Sequence, residues 1–369
     1  MTVASIPVLK TKRASGIEFL RLLSLFSIIL CHVLSDGKSL TGINKYFCLL
    51  ANSGIHAGVG VVCFMLITGY FGANFSLRRF NKTYSVIYIC SLVCLGCAII
   101  AYGFSPMTAL KSLIPVTSGR WWYASCYIYT LLLSPFLDSL AKKIDQKVFQ
   151  KLLALLLTLF YVLPTFLYFD INNDKGKGLA NMIIIYLLGR YLKMYPPKIS
   201  NKALWITMAS LMAVSFAGNC AVTIVTKDIH WPFGRDCTVT TLGIALCLFL
   251  ICARGKFESK TINFIAKNAF YIYLLDFHMP YLREQFNLLR FENSIVFIPV
   301  ILGFVLLVMA ISFVASLVLQ YPAKLFEIIL DRLEKSAVKL AERIFPMLNP
   351  IFTKLKTLAE GDYSKCPKN

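Results

Sequence analysis

The sequence predicts an all-α, polytopic integral membrane bundle of about ten transmembrane helices, with both termini in the cytoplasm. Three observations carry that expectation. The 369-residue chain is 57% hydrophobic, with a mean hydropathy of +0.68. Apolar runs of about 20 residues, the length a helix needs to cross a bilayer core, recur along it. Its basic excess, a net charge of +20, falls mostly in alternate loops, as the positive-inside rule describes. That distribution explains the charge without nucleic acid.

Spans are expected near residues 17–35, 51–73, 83–104, 121–140, 151–169, 179–195, 203–225, 237–253, 262–282 and 294–320. Lys10, Lys12 and Arg13 precede the first, and Arg78, Arg79 and Lys82 follow the second. Lys142, Lys143, Lys147 and Lys151 follow the fourth, Lys193, Lys198 and Lys202 the sixth, and Arg254, Lys256 and Lys260 the eighth. The remaining loops hold most of the loop Asp and Asn, as in the stretch from Asp170 to Lys177. No small-residue cleavage site follows a short apolar core at the N-terminus, so the first span is expected to stay. Tyr321-Pro322 is expected to close the membrane part, giving a membrane domain over 1–322 and a cytoplasmic amphipathic tail over 323–369. In the tail, Leu325, Ile329, Leu333, Leu340 and Ile344 form an apolar stripe at helical spacing flanked by basic residues. Two placements suit it: the inner leaflet, or packing on the bundle or a partner.

The first span carries the most informative pair. Arg21 and His32 are eleven residues apart, about 1100° of helix, so they share one face to within roughly 20° and are separated by about 16 Å along the axis. Ionisable groups in a span usually face the bundle interior and mark a site. The opposing reading is a snorkelling Arg with an incidental buried His. Glu18, three residues before Arg21, is spaced for an ion pair with it. Asp36 is four after His32, as an orienting partner or a water-facing cap. Asp276 is an acid inside the ninth span, at the depth of His32 if both helices run outward. His56 reads as a residue of the outer lip, and His230-Trp231 as part of an outer loop with Asp228 and Asp236. The twelve Cys are scattered; Cys94-x-x-Cys97 has a metal or redox spacing but no second pair near it, and reads as small apolar residues. No phosphate-binding Gly loop, dinucleotide turn or zinc helix motif occurs. No metal is expected.

Four patches of this sequence resemble the polytopic membrane acyltransferases known as acyltransferase three, which O-acylate cell-surface glycans. The first is Arg21-x10-His32, with Glu18 at the acidic position before it. The second is Gly60 through Gly69-Tyr70, similar to a run ending in Ser-Gly-Tyr, followed by the basic loop of Arg78, Arg79 and Lys82. The third runs from Arg120, Trp121 and Trp122 with Tyr123 to Tyr129 and Pro135. The fourth is Tyr271-Ile-Tyr273-Leu-Leu-Asp276-Phe-His278. The departures are Val62 for Asp, Thr68 for Ser, Lys82 for a further Arg, Arg120 for His, and Asp276 where a His is common. His278 lies two residues on, about 200° around a helix, and does not take that place.

The resemblance implies a membrane O-acyltransferase of the plasma or inner membrane. Its donor is acetyl-CoA or another acyl-CoA. Its acceptor is a hydroxyl of a cell-surface or exported glycan or lipid-linked saccharide, with polysaccharide synthesis or export proteins and membrane lipid as partners. His32 then serves as base and Asp276 as its companion. Arg21, Arg78, Arg79 and Lys82 meet the donor phosphates, and Glu18, Arg120, Trp122 and Tyr123 contribute to the substrate site. An imidazole with its pKa near neutrality suits proton removal from a hydroxyl. The alternative is a proton-coupled transporter or flippase of a glycan or lipid-linked sugar, with His32 and Asp276 as its relay. The absence of recognisable inverted repeats argues against it.

Overall fold

The computed structural model describes residues 15–34, 40–167, 170, 172–276 and 288–344, with the backbone alone for 288–289 and 341–344. All regular structure among the described residues is helical. In chain order the helices are α1 (Ser15–Val33), α2 (Gly42–Ala51), α3 (Ala57–Phe71), α4 (Leu77–Tyr102), α5 (Pro106–Leu113) and α6 (Trp122–Lys143). There follow α7 (Gln146–Phe166), α8 (Leu179–Met194), α9 (Asn201–Thr226), α10 (Val239–Ala253), α11 (Lys260–Ala266), α12 (Ala269–Leu275) and α13 (Phe297–Ile344). Side-chain caps set many starts: Ser76, Ser105, Asp145, Ser200, Thr238 and Ser259 each accept a first-turn backbone N–H.

The chain is an all-α membrane bundle. Six helices (α1, α4, α6, α7, α9 and α13) are long and apolar enough to cross a membrane, and α3 and α10 are shorter apolar helices. The expected sixth span is the 16-residue α8. The ninth departs from expectation: α11 and α12 are seven residues each, split at Lys267-Asn268, and 277–282 lie outside the described residues. The expected break at Tyr321-Pro322 is absent, because α13 runs through both as one 48-residue helix with Pro322 inside it. An interior proline removes one hydrogen bond and crowds the carbonyl four residues back, a cost that membrane helices tolerate where the freed backbone groups are satisfied otherwise. Beyond Pro322, α13 packs on the start of α4. Phe326 stacks on Tyr88 at 4.7 Å, and Asn81 Nδ2 donates to Asp331 and Glu334 at 2.8 Å each. The apolar stripe of Leu325, Ile329, Leu333 and Leu340 is exposed.

α1 is the central element. It packs against α3, α10, α11, α12 and α13, with Leu20, Leu25 and Ile29 fully buried. At its start, Ser15 Oγ donates to Asn263 and accepts from Ser259 N–H, so α1 and the α11–α12 pair set out from the same end. α3 lies against α8 through two glycines. A Cβ on Gly69 would collide with the Tyr186 carbonyl, and one on Gly189 would meet Leu66 O at 2.7 Å. Small residues at such a crossing let backbones approach closely.

Candidate active site

His32 lies in the last turn of α1, and Asp276 caps the C-terminal end of α12. Because the two helices start together and run the same way, their ends meet. His32 Nδ1 is 2.6 Å from Asp276 Oδ2. The carboxylate only accepts, so Nδ1 carries the proton and the basic lone pair is on Nε2. The imidazole is 51% exposed while the Asp276 side chain is 2% exposed. Asp276 Oδ1 is buried and has no hydrogen-bond partner among the described residues. Asp36 and His278 lie outside the described residues.

Toward the other end of α1, Arg21 Nη1 is 3.5 Å from Glu18 Oε2, an ion pair looser than a well-formed hydrogen bond. Glu18 is buried and Arg21 partly exposed. Arg79 lies on the first turn of α4, and one guanidinium nitrogen donates to the Ala73 carbonyl. The charges of Arg21 and Arg79 both bear on the Tyr127 hydroxyl, which brings these two of the four expected donor contacts into one neighbourhood. Arg78 and Lys82 are exposed and form no hydrogen bond or ion pair among the described residues.

An aromatic cluster joins the two ends. Tyr123 packs against Tyr127 at 6.5 Å, Tyr273 at 5.7 Å, Phe64 at 6.3 Å and Trp122 at 6.0 Å. Tyr273, in turn, feels the charge of Asp276. Arg120 donates to Ser112 Oγ and lies over the Trp121 ring. It also neighbours Cys94, whose sulfur is 3.9 Å from the Leu274 carbonyl, two residues before Asp276. Arg120, Trp122 and Tyr123 therefore share a region with the His–Asp pair, while Glu18 belongs to the arginine end.

The other described histidines, His56 and His230, are placed differently from His32. His56 is not a lip residue. It is 2% exposed and caps α3, its Nδ1 accepting from Gly58 N–H and its Nε2 3.1 Å from Thr241 Oγ1. That buried polar pairing was invisible in the sequence because Thr241 is 185 residues away. His230 and Asp228 are exposed. Asp236 is buried and lies beside Gly58. Burial pushes its carboxyl up to about 6, opposed by Lys177 and His32 and reinforced by Asp174. Cys90 and Cys94 are buried and Cys97 is exposed, and no group of three or more metal-ligating side chains occurs among the described residues.

Three polar residues that the sequence reading passed over form a network near Arg79. Tyr186 Oη donates to Asp138 Oδ1 at 2.8 Å and accepts from Ala73 N–H at 3.2 Å. Arg190 Nε is 3.1 Å from Asp138 Oδ1. The available signal was the one that singled out Arg21: Asp138 is the sole charge in the expected fourth span, and Arg190 one of two in the sixth. Tyr127 offered no comparable signal among eighteen tyrosines.

Chemically, the site pairs an accessible imidazole, oriented by a buried carboxylate, with the Arg21 cation about 16 Å away along the same helix. A family model described as an acyltransferase domain (acyltransferase 3) matches residues 15–317. No curated protein and no solved structure matches the chain.

Proposed function

The chain belongs to the acyltransferase 3 family of multi-pass membrane proteins, and from that premise we propose that it transfers an acyl group, most simply acetyl, from cytoplasmic acyl-CoA to a hydroxyl of a cell-surface or exported glycan. The observation that supports the reading best is the His32–Asp276 contact of 2.6 Å. Asp276 holds the Nδ1 proton and thereby keeps Nε2 basic. Nε2 takes the proton of the acceptor hydroxyl as its oxygen attacks the thioester carbonyl carbon. The tetrahedral intermediate collapses with cleavage of the C–S bond. The imidazolium returns the proton to the departing coenzyme A thiolate, leaving an ester and free coenzyme A. Asp276 stabilises the imidazolium between the two transfers.

At the other end, Arg21 and Arg79 are the proposed partners of the donor's phosphates, with Arg78 and Lys82 adding attraction from exposed positions in the first two turns of α4. The extended arm of coenzyme A suits the distance from these cations to His32. Arg120, Trp122 and Tyr123 are proposed to shape the acceptor and acyl pocket. The proposed setting is the plasma or inner membrane, with the arginine end cytoplasmic.

The test has two parts. Cell-surface polysaccharide from cells with and without the chain is analysed for O-linked acyl groups. The purified protein is titrated with acetyl-CoA, alone and as the Arg78→Ala/Arg79→Ala double variant. Each charge-assisted contact contributes roughly 1.5–3 kcal/mol, so loss of one weakens donor binding about ten-fold or more. A proton-coupled flippase needs no such donor. Folded, unmodified protein that binds no acetyl-CoA would therefore overturn the enzyme reading.

A further inference from the structure

The turn between α3 and α4 is held in an unusual way. Gly72 has φ +78° and Asn74 φ +46°, both in the left-handed region that most side chains avoid. Between them, the Ala73 peptide is fixed from two sides. Its N–H donates to Tyr186 Oη at 3.2 Å, and its carbonyl accepts from Arg79. Tyr186 is fully buried on α8 and is itself anchored by donating to Asp138 Oδ1 of α6 at 2.8 Å. Arg190, one turn further along α8, pairs with the same carboxylate oxygen at 3.1 Å. It also fills the space beside Gly72, where a Cβ would meet its Nη1 at 3.0 Å. The Nε–H of Arg190 is not aimed at the carboxylate, so the contact is an ion pair that neutralises Asp138 rather than a second anchor.

A largely enclosed acid and cation, 16% and 14% exposed, around a fully buried phenol need a reason to be retained, since an apolar set of similar volume often serves stability as well or better. The reason visible here is position. Asp138 fixes the Tyr186 hydroxyl, that hydroxyl fixes Ala73, and the Ala73 carbonyl holds one nitrogen of the Arg79 guanidinium. The remaining Arg79 donors are then presented in one orientation, so less side-chain freedom is lost when an anion binds.

We propose that Asp138 and Tyr186 are positioning residues for the donor, setting the pose of Arg79 through the Ala73 peptide. The inference rests on the reading of Arg79 as a donor contact and adds to it the device that aims it.

The full-length protein in detergent or lipid nanodiscs is tested with acetyl-CoA as donor, using Tyr186→Phe, Asp138→Asn and Arg79→Ala, alone and in pairs. Tyr186→Phe removes only the hydroxyl. It should raise the donor KM at least about five-fold, the loss of roughly one hydrogen bond, while kcat and the acceptor KM stay near the unmodified values. Asp138→Asn keeps an acceptor for Tyr186 and should show a smaller effect in the same direction. It also remains measurable should Tyr186→Phe fold poorly. The decisive readout is coupling. Once Arg79 is Ala, adding Tyr186→Phe should weaken donor binding no further, whereas a merely structural role gives additive losses. Additive losses, or Tyr186→Phe with an unchanged donor KM, would overturn the proposal while leaving the donor reading intact. Unmodified protein that binds no acetyl-CoA overturns the donor reading itself, and the proposal with it.

Discussion

His32 and Asp276 are 244 residues apart in sequence and 2.6 Å apart in space, and their arrangement makes a sharp demand on tautomer. Asp276→Asn lets an amide N–H face Nδ1, which moves the imidazole proton to Nε2 and removes the proposed base. Acyl transfer should fall about 100-fold or more in that variant, and His32→Ala should abolish it, with membrane insertion unchanged in both. Transfer assays on purified protein at matched expression decide the matter, and full activity in Asp276→Asn makes the carboxylate incidental. Asp236 makes a demand on pH instead. Its folded carboxyl titrates at about 6, above the ordinary value of about 3.9. The folded protein therefore holds a proton that the unfolded chain gives up earlier. Stability falls as pH rises from about 4 through about 6, and the full penalty is present above that, no more than about 3 kcal/mol. Asp236→Asn removes the penalty. It should raise the melting temperature at pH 7.5 and leave it nearly unchanged at pH 4; equal shifts at both would exclude ionisation as the cause.

Among the helices, the α3–α8 crossing is the most sensitive to a single atom. Gly69 meets the Tyr186 backbone so closely that one added methyl must push the helices apart. Gly69→Ala should lower stability by about 1–3 kcal/mol, the usual range for overpacking, and shift Tyr186 relative to Ala73. Gly96→Ala is the matched control, because a Cβ there has open space. Thermal melts of the two variants in the same detergent provide the comparison, and equal melting temperatures would mean that the crossing relaxes without strain. The sequence predicts a break at Pro322, but α13 passes through it. It proved continuous because the apolar spacing on either side of the proline is in helical register.

For the whole molecule, the contacts sort the connecting segments by end. Lys177 and Asp174 bear on Asp236, as does His32, so the loop containing Asn172 lies at the His32 end of the bundle. Gln150 donates to the Tyr191 hydroxyl at 2.6 Å, beside Arg190, which puts the start of α7 at the Arg79 end. Cysteine labelling at Asn172 and at Lys147 should therefore report opposite sides of the membrane, with Asn172 outside. Reaction from the same side at both positions would contradict a single crossing by α7 and the access routes proposed for donor and acceptor.

The sequence by itself determined the helical membrane class, most of the helical segments, and the register that puts Arg21 and His32 on one face of α1. Each of these follows from local periodicity and from the exclusion of unpaired backbone from lipid. Only the tertiary structure decided that Asp276, 244 residues away, meets His32. It likewise put Tyr127 within the influence of the charges of both Arg21 and Arg79, buried His56 as a cap, and joined Asp138, Tyr186 and Arg190 around the Ala73 peptide. Such pairings depend on how each helix is rotated and docked against neighbours 50 to 250 residues away. In a chain whose lipid-facing and core-facing side chains are alike apolar, hydrophobic pattern does not fix that rotation. It is set by close packing at small residues and by the few polar groups that must find one another.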